Sequence, residues 1–224
     1  MDLATLGWSA DWEKALTALP VSTGVPGRVM VEDKHAYLVT TAAGTCPAVI
    51  PGKMLHQSSD RSQLPKVGDW VVLRMLPAER QGVIECVLPR RTQLVRKEAG
   101  RRVEEQVLAA NVDLAFIVMA LDRSYNLRRL ERFLVMAREG GVMPVVVLNK
   151  ADLASDHGRA RELEARQVAR DAEVAVVSAR TGLGMRSLQR HLQAGRSVAF
   201  IGTSGVGKSS LINRLYGEEI QATL

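Results

Sequence analysis

Gly202-Thr203-Ser204-Gly205-Val206-Gly207-Lys208-Ser209 decides the fold, and it takes its meaning from Asn149-Lys150-Ala151-Asp152, which lies before it in the chain. The first stretch has the spacing G-x-x-x-x-G-K-[ST] of a phosphate-binding loop. It follows an apolar run at residues 197–201 and precedes Leu211, Ile212 and Leu215 at helical spacing. A strand, a glycine-rich turn and a helix is the context such a loop requires. The glycines let successive N–H groups converge on phosphate oxygens at the helix N-terminus. Gly202, Thr203, Ser204, Gly205, Val206, Gly207, Lys208, Ser209 and Ser210 are the candidate phosphate-binding residues. Lys208 would reach the β- and γ-phosphates as the catalytic cation, and the Ser209 hydroxyl would ligate a Mg²⁺ carried with the nucleotide.

Asn149-Lys150-Ala151-Asp152 has the form N-K-x-D and follows a buried run. Guanine presents two donors on one edge, N1–H and the N2 amine, and a single carboxylate accepts both. Asp152 is assigned that role. Adenine lacks the donor pair and would leave the carboxylate unpaired. Hydrogen bonds to charged groups contribute about 1.5–3 kcal/mol each. A site built for such a pair rejects a base lacking it by a factor of roughly 10⁴. Asn149 would brace the loop and the Lys150 stem would lie over the base. Ser178-Ala179, at another strand end, reads as the companion element whose Ala179 N–H would bond guanine O6. An ordinary GTPase carries the phosphate loop first, so the inverted order predicts a circularly permuted GTPase domain.

Outward from these motifs the pattern alternates between buried strand and helix. Residues 114–121 form a continuous apolar run, as in a strand covered on both faces. Leu127, Leu130, Phe133, Leu134 and Ala137 mark one helix face that ends at Gly140-Gly141. Strands are expected at 142–148, 174–177 and 197–201, and helices at 158–170, with Asp156 as its cap, and around Leu183, Leu188 and Leu192. This alternation implies a parallel sheet, which binds ligands at the carboxyl ends of its strands. The motif pieces all sit at such ends.

Upstream the period changes to two. Residues 28–32, 35–41, 45–50, 69–76 and 82–88 read as short strands, which suggests a small closed barrel, most commonly an OB-fold. An SH3-like barrel fits the same pattern. Trp12, Leu16 and Leu19 point to a helix before it, with Ser9 as a possible cap. The expected organisation is an N-terminal extension (1–26), the barrel (27–88), a basic linker (89–110) and the incomplete permuted GTPase domain (111–224).

The chain has 224 residues and 46% hydrophobic residues, as in a globular protein, and its formal net charge of +6 suggests a polyanionic partner, nucleic acid before membrane, with a basic protein lacking such a partner as the alternative. The linker segment 89–102 holds Arg90, Arg91, Arg96, Lys97, Arg101 and Arg102 against the single carboxylate Glu98. With Lys53, Arg61 and Lys66 in the longest barrel connection, these are the candidate RNA-binding residues. A solvated charged spacer is the alternative reading of the linker. Cys46 and Cys86 lie far apart and read as reduced thiols, and His35, His56, His157 and His191 are scattered, so no zinc site is legible. No signal peptide is expected, and no run approaches the roughly 18 apolar residues of a membrane helix. A cytoplasmic protein with no membrane partner is expected.

No Asp has glycine three positions later, so the D-x-x-G element of a GTPase is not found, and a truncated chain is expected. Asp122 ends an apolar run and could imitate the acid of a P-loop ATPase, which is the alternative enzyme reading.

The stretches Val67-Gly68-Asp69-Trp70-Val71-Val72-Leu73, Leu88-Pro89-Arg90-Arg91-Thr92 and Glu104-Glu105-Gln106-Val107-Leu108-Ala109-Ala110-Asn111-Val112-Asp113, with residues 202–210, carry a further signal. With them and the inverted motif order, the chain resembles the ribosome-small-subunit-dependent GTPase A family over nearly its whole length. The resemblance implies an N-terminal OB-fold, a permuted GTPase domain and a C-terminal zinc-binding domain. It also implies GTP and GDP as ligands, and GTP hydrolysis stimulated by the small (30S) ribosomal subunit. The implied role is late maturation of that subunit, with contacts to its rRNA, and a monomer is expected. The family's D-x-x-G segment and zinc ligands would lie past Leu224, so Zn²⁺ is an expectation without ligands in this chain. Family members lack the usual catalytic glutamine, which implies that the ribosome helps to organise the switches. The non-enzymatic alternative is a GTP/GDP- and RNA-binding module without turnover.

Overall fold

The computed structural model describes residues 1–19, 24–34, 36–57, 61–76, 79–98, 104–154 and 157–217. Two units emerge: residues 1–112 with 194–197, and residues 113–193 with 198–224.

The first unit is a closed barrel. Strands β1 (Val25–Asp33), β2 (Ala36–Thr41), β3 (Gly44–Val49), β4 (Trp70–Leu76) and β5 (Gln81–Val87) run in the order β1-β2-β3-β5-β4, with β4 returning to β1. β3 pairs with β5 in parallel, while the other pairs are antiparallel. This crossed order is the Greek-key barrel of an OB-fold and excludes the SH3-like alternative. Alternation sends Tyr37 and Val39 inward, where they meet Val29, Ala48, Ile50, Val71, Leu73 and Ile84. Helix α2 (Gly52–Gln57) lies in the connection between β3 and β4.

Both faces of β4 are covered, which is why Trp70, Val71, Val72 and Leu73 are all buried. The outer cover is the N-terminal extension, a 3-10 turn at Leu3–Leu6 and helix α1 (Ala10–Thr17), which pack Trp8 and Trp12 on Trp70. Ser9 occupies the N-cap position of α1, but its hydroxyl does not cap the helix; it accepts from Arg91 Nη2 at 3.3 Å instead.

The segment expected to be a linker is largely folded. β6 (Gln93–Glu98) and β7 (Glu104–Ala110) pair antiparallel, with Leu94 and Val107 buried. Its end is fastened to the barrel unit. Asn111, at φ 53°, donates through Nδ2 to Gly68 O (3.2 Å) and accepts from Arg91 N (3.0 Å). At Gly68, φ is 92° and a Cβ would stand 2.0 Å from Ala110 O, so no side chain fits there.

The second unit is a parallel sheet in the order β10-β9-β8-β11, built from β8 (Leu114–Ala120), β9 (Met143–Asn149), β10 (Glu173–Val176) and β11 (Val198–Ile201). Every residue of β8 is buried. Leu114, Phe116, Val118 and Ala120 face a core shared with Met185 and Leu188 of α5 (Met185–Gln189) and Leu211 of α6 (Lys208–Tyr216). The alternate residues Ala115, Ile117 and Met119 are buried as well, and α3 (Leu127–Glu139) and α4 (Gly158–Ala169) pack on β8, β9 and β10. The sheet is thus helix-covered on both faces, as its unbroken apolar strands require.

α3 starts where Asn126 accepts from Arg129 N and ends at Gly140. α5 is shorter than its leucine spacing suggested: Leu188 is buried, but Leu183 and Leu192 are exposed. Asp156, expected to cap α4, lies outside the described residues, and the observed N-cap His157 makes no side-chain cap bond. No helix among the described residues is long and apolar enough to cross a membrane.

Candidate nucleotide site

The phosphate loop leaves the carboxyl end of β11 and enters α6. Gly202, Gly205 and Gly207 have φ of 153°, 79° and 91°, all in the range that favours glycine. Two of them also mark close approaches. A Cβ on Gly202 would lie 2.5 Å from Val118 O, and one on Gly207 would lie 2.4 Å from Asn149 Nδ2. Val206 is buried in the sheet core, and Ser204 and Gly205 are exposed at the loop crest. Lys208 curls back, its Nζ donating to Gly202 O (3.0 Å) and Thr203 O (2.9 Å). A nucleotide phosphate would replace weak carbonyl acceptors with charged ones. Thr203, Ser209 and Ser210 are half-buried, and Ser209 stands beside Lys208 in the first turn of α6. A serine hydroxyl is a hard oxygen donor of the kind Mg²⁺ takes.

The base end is assembled from the ends of β8, β9 and β10. Asn149 is buried and joins the two ends of the site. Its Nδ2 donates to Val206 O of the phosphate loop (2.9 Å), and its Oδ1 accepts from Ala179 N (3.1 Å). The bracing expected of Asn149 is therefore specific: one amide ties the phosphate loop to the Ser178-Ala179 loop. Lys150 adopts left-handed backbone (φ 62°, ψ 39°) and turns the chain into the 3-10 turn Ala151–Leu153, which carries Asp152. Asp152 Oδ1 accepts from Ser178 Oγ at 2.6 Å, and Oδ2 lies 3.9 Å from Arg180 Nη1. Ser178 also accepts from Thr181 N, so its hydroxyl fixes both the carboxylate and its own turn.

Asp122 belongs to this end. Its Oδ2 accepts from Lys150 Nζ at 2.8 Å, and its Oδ1 accepts from Ser124 N (2.8 Å) and Ser124 Oγ (2.6 Å). Burial pushes the Asp122 carboxyl up, but the bonds from Lys150 and Ser124 outweigh that and bring it down to about 2. The ATPase alternative needs the Asp122 carboxylate free for the phosphates and their metal, whereas Lys150 engages it. Sequence reading missed this pairing because 28 residues separate the partners.

The candidate RNA-binding residues divide. Arg90 faces inward and is fully engaged: it bonds both oxygens of the fully buried Asp69 and also donates to Ser62 O and Leu64 O. Lys66 pairs with Glu32. Arg91 lies over Trp12 at 4.1 Å and 3.4 Å from Asp11. Lys53 on α2 and Arg96 on β6 are exposed. Arg61 sits in the 3-10 turn Arg61–Gln63 and Lys97 in β6, while Arg101 and Arg102 lie outside the described residues. No group of three or more His, Cys, Asp or Glu among the described residues could hold a metal ion.

Residues 87–224 match the model of the RsgA GTPase family. The chain is 45% identical over its full length to the small ribosomal subunit biogenesis GTPase RsgA of Opitutus terrae, covering 63% of that protein. It is 41% identical to the protein of the same name from Syntrophotalea carbinolica, covering all of this chain and 62% of that one. The chain thus spans less than two thirds of these relatives. Among solved structures it is similar to YjeQ from Thermotoga maritima, with TM-score 0.67 and 28% identity over 86% of this chain and 65% of that one. It shares its fold with YloQ, a circularly permuted GTPase, at TM-score 0.59 and 22% identity, covering 86% of this chain and 64% of that one. A permuted order of site motifs, an OB-type barrel ahead of them and a family match over residues 87–224 converge on one assignment: the chain belongs to the RsgA GTPase family.

Proposed function

We propose that this chain binds GTP and GDP and hydrolyses GTP, as a cytoplasmic, monomeric factor that associates with the small ribosomal subunit during its late maturation and is stimulated by it. The observation that carries the nucleotide reading is the Asn149 amide, which ties the phosphate loop to the Ala179 turn beside Asp152. Asp152 selects guanine by accepting from N1–H and the N2 amine, and the Ala179 N–H serves O6. Glycine-shaped backbone and Lys208 hold the phosphates, and the Ser209 hydroxyl would hold a Mg²⁺, which would supply charge neutralisation at the phosphates. The names of the relatives support the ribosomal partner.

Rather than Arg90, the exposed Lys53 and Arg96 are the cations to test for rRNA backbone contact, together with Arg91. Arg96→Glu should weaken association with small subunits and flatten its salt dependence; unchanged binding removes the hairpin from the interface.

A second reading is a nucleotide- and RNA-binding module without turnover. Two measurements decide between them. GDP and ADP titrations test the base: ADP binding equal to GDP and insensitive to Asp152→Ala would sink the guanine assignment. GTP turnover with and without purified small subunits tests the enzyme. Subunit-stimulated turnover supports the first reading; its absence here, with activity in a longer chain carrying a D-x-x-G segment, supports the second.

A further inference from the structure

We propose that Asp122 is a positioning residue of the base end: it holds the Lys150 ammonium so that the Lys150 stem forms one wall of the purine slot before nucleotide arrives. The inference rests on the guanine-nucleotide reading above.

The backbone of Lys150 is committed first. Its left-handed conformation is uncommon for a residue with a side chain, and it fixes the direction in which the stem leaves the chain. The tip is then held by Asp122 Oδ2 at 2.8 Å. Asp122 cannot swing with the lysine, because its other oxygen is held by the amide and the hydroxyl of Ser124. The loop that bears it is pinned in turn from α4. Arg161 Nη1 donates to Leu121 O (3.2 Å) and Asp122 O (3.1 Å). The Arg161 guanidinium also lies 5.4 Å from the Tyr125 ring, while Tyr125 Oη donates back to Arg161 O at 2.9 Å. Both ends of the Lys150 side chain are thus anchored to the fold.

A free lysine loses much rotamer entropy when a ligand immobilises it. A lysine already held by the protein spares the nucleotide that loss, which is preorganisation. The pair is partly solvated, with side-chain exposures of 29% and 26%, so its effect is modest. It should act on the purine and leave the phosphate end alone.

The test is a double-mutant cycle of Asp122→Ala and Lys150→Ala, read by GDP titration, with pyrophosphate binding measured alongside and Asp122→Asn as a second variant should the alanine variant fold poorly. Asp122→Ala is expected to weaken GDP by about three- to tenfold, Asp122→Asn less, with pyrophosphate affinity unchanged. In the Lys150→Ala background, removing Asp122 should have no further effect. Multiplying effects, an equal loss of pyrophosphate affinity, or tighter GDP binding on removing Asp122 would each overturn the proposal. Wild-type preference for GDP over ADP, measured in the same series, tests the underlying guanine reading separately.

Discussion

The two ends of the proposed nucleotide site are built differently. The phosphate end is contiguous in sequence and shaped by glycine backbone, and its lysine rests on loop carbonyls. The base end is gathered from separate strand ends and held by side-chain relays: Asn149 to Ala179, Asp152 to Ser178, and Lys150 to Asp122. A backbone-shaped cradle fails only when its conformation or its cation is removed. A relay can be loosened one link at a time.

The largest effect is expected at the phosphate end. Lys208→Ala should weaken GDP binding by about 100-fold or more, since it removes charged hydrogen bonds to phosphate, while leaving the melting temperature nearly unchanged. A loss below tenfold by calorimetric titration would mean that backbone N–H groups alone hold the phosphates. Asn149→Ala breaks the contrast itself, because its amide serves both ends. Leaving Val206 O and Ala179 N unpaired should cost about 2–3 kcal/mol of stability in denaturant unfolding and weaken GDP and pyrophosphate together. If only GDP suffers, the two ends are mechanically separate. Asp152→Ala is expected to abolish most of the preference for GDP over ADP while sparing pyrophosphate affinity.

The smallest effect is a pH dependence at Asp122. Its folded value of about 2 lies below the ordinary 3.8, so the charged carboxylate stabilises the fold above that ordinary value. The contribution fades as pH falls between about 4 and 2. Acid unfolding of Asp122→Asn should lack this component, which a comparison of the two acid titrations reads directly.

Sequence legibility follows the same division. The phosphate loop, the buried strands and the barrel's alternation depend on neighbours in the chain, and they appear where spacing placed them. Side-chain relays depend on partners brought together by topology. Spacing suggests that Asn149 braces its loop, but not that it spans both loops, and for Asp122 it offers only the alternative of a P-loop ATPase acid. The β6–β7 hairpin was hidden for a different reason. Its strands include Arg96, Lys97, Glu98, Glu104 and Glu105, so charge masked the register that sets Lys97 opposite Glu105. Arg90 was read by its charge alone; its carboxylate partner lies 21 residues upstream, in the family-like stretch around Trp70.

The packing of the N-terminal extension on β4 has an optical consequence. The chain has 3 tryptophans, and all lie in the first unit, with Trp8 edge-on and Trp12 tilted against Trp70. Indole emission therefore reports the barrel and its cover, while the sheet that holds the phosphate loop is dark at that wavelength. A melt followed by emission watches the first unit, whereas one followed by far-ultraviolet ellipticity watches the backbone of the whole chain. Adding GDP should shift the ellipticity curve, and whether the emission curve moves with it measures how far the barrel shares the nucleotide's stabilisation.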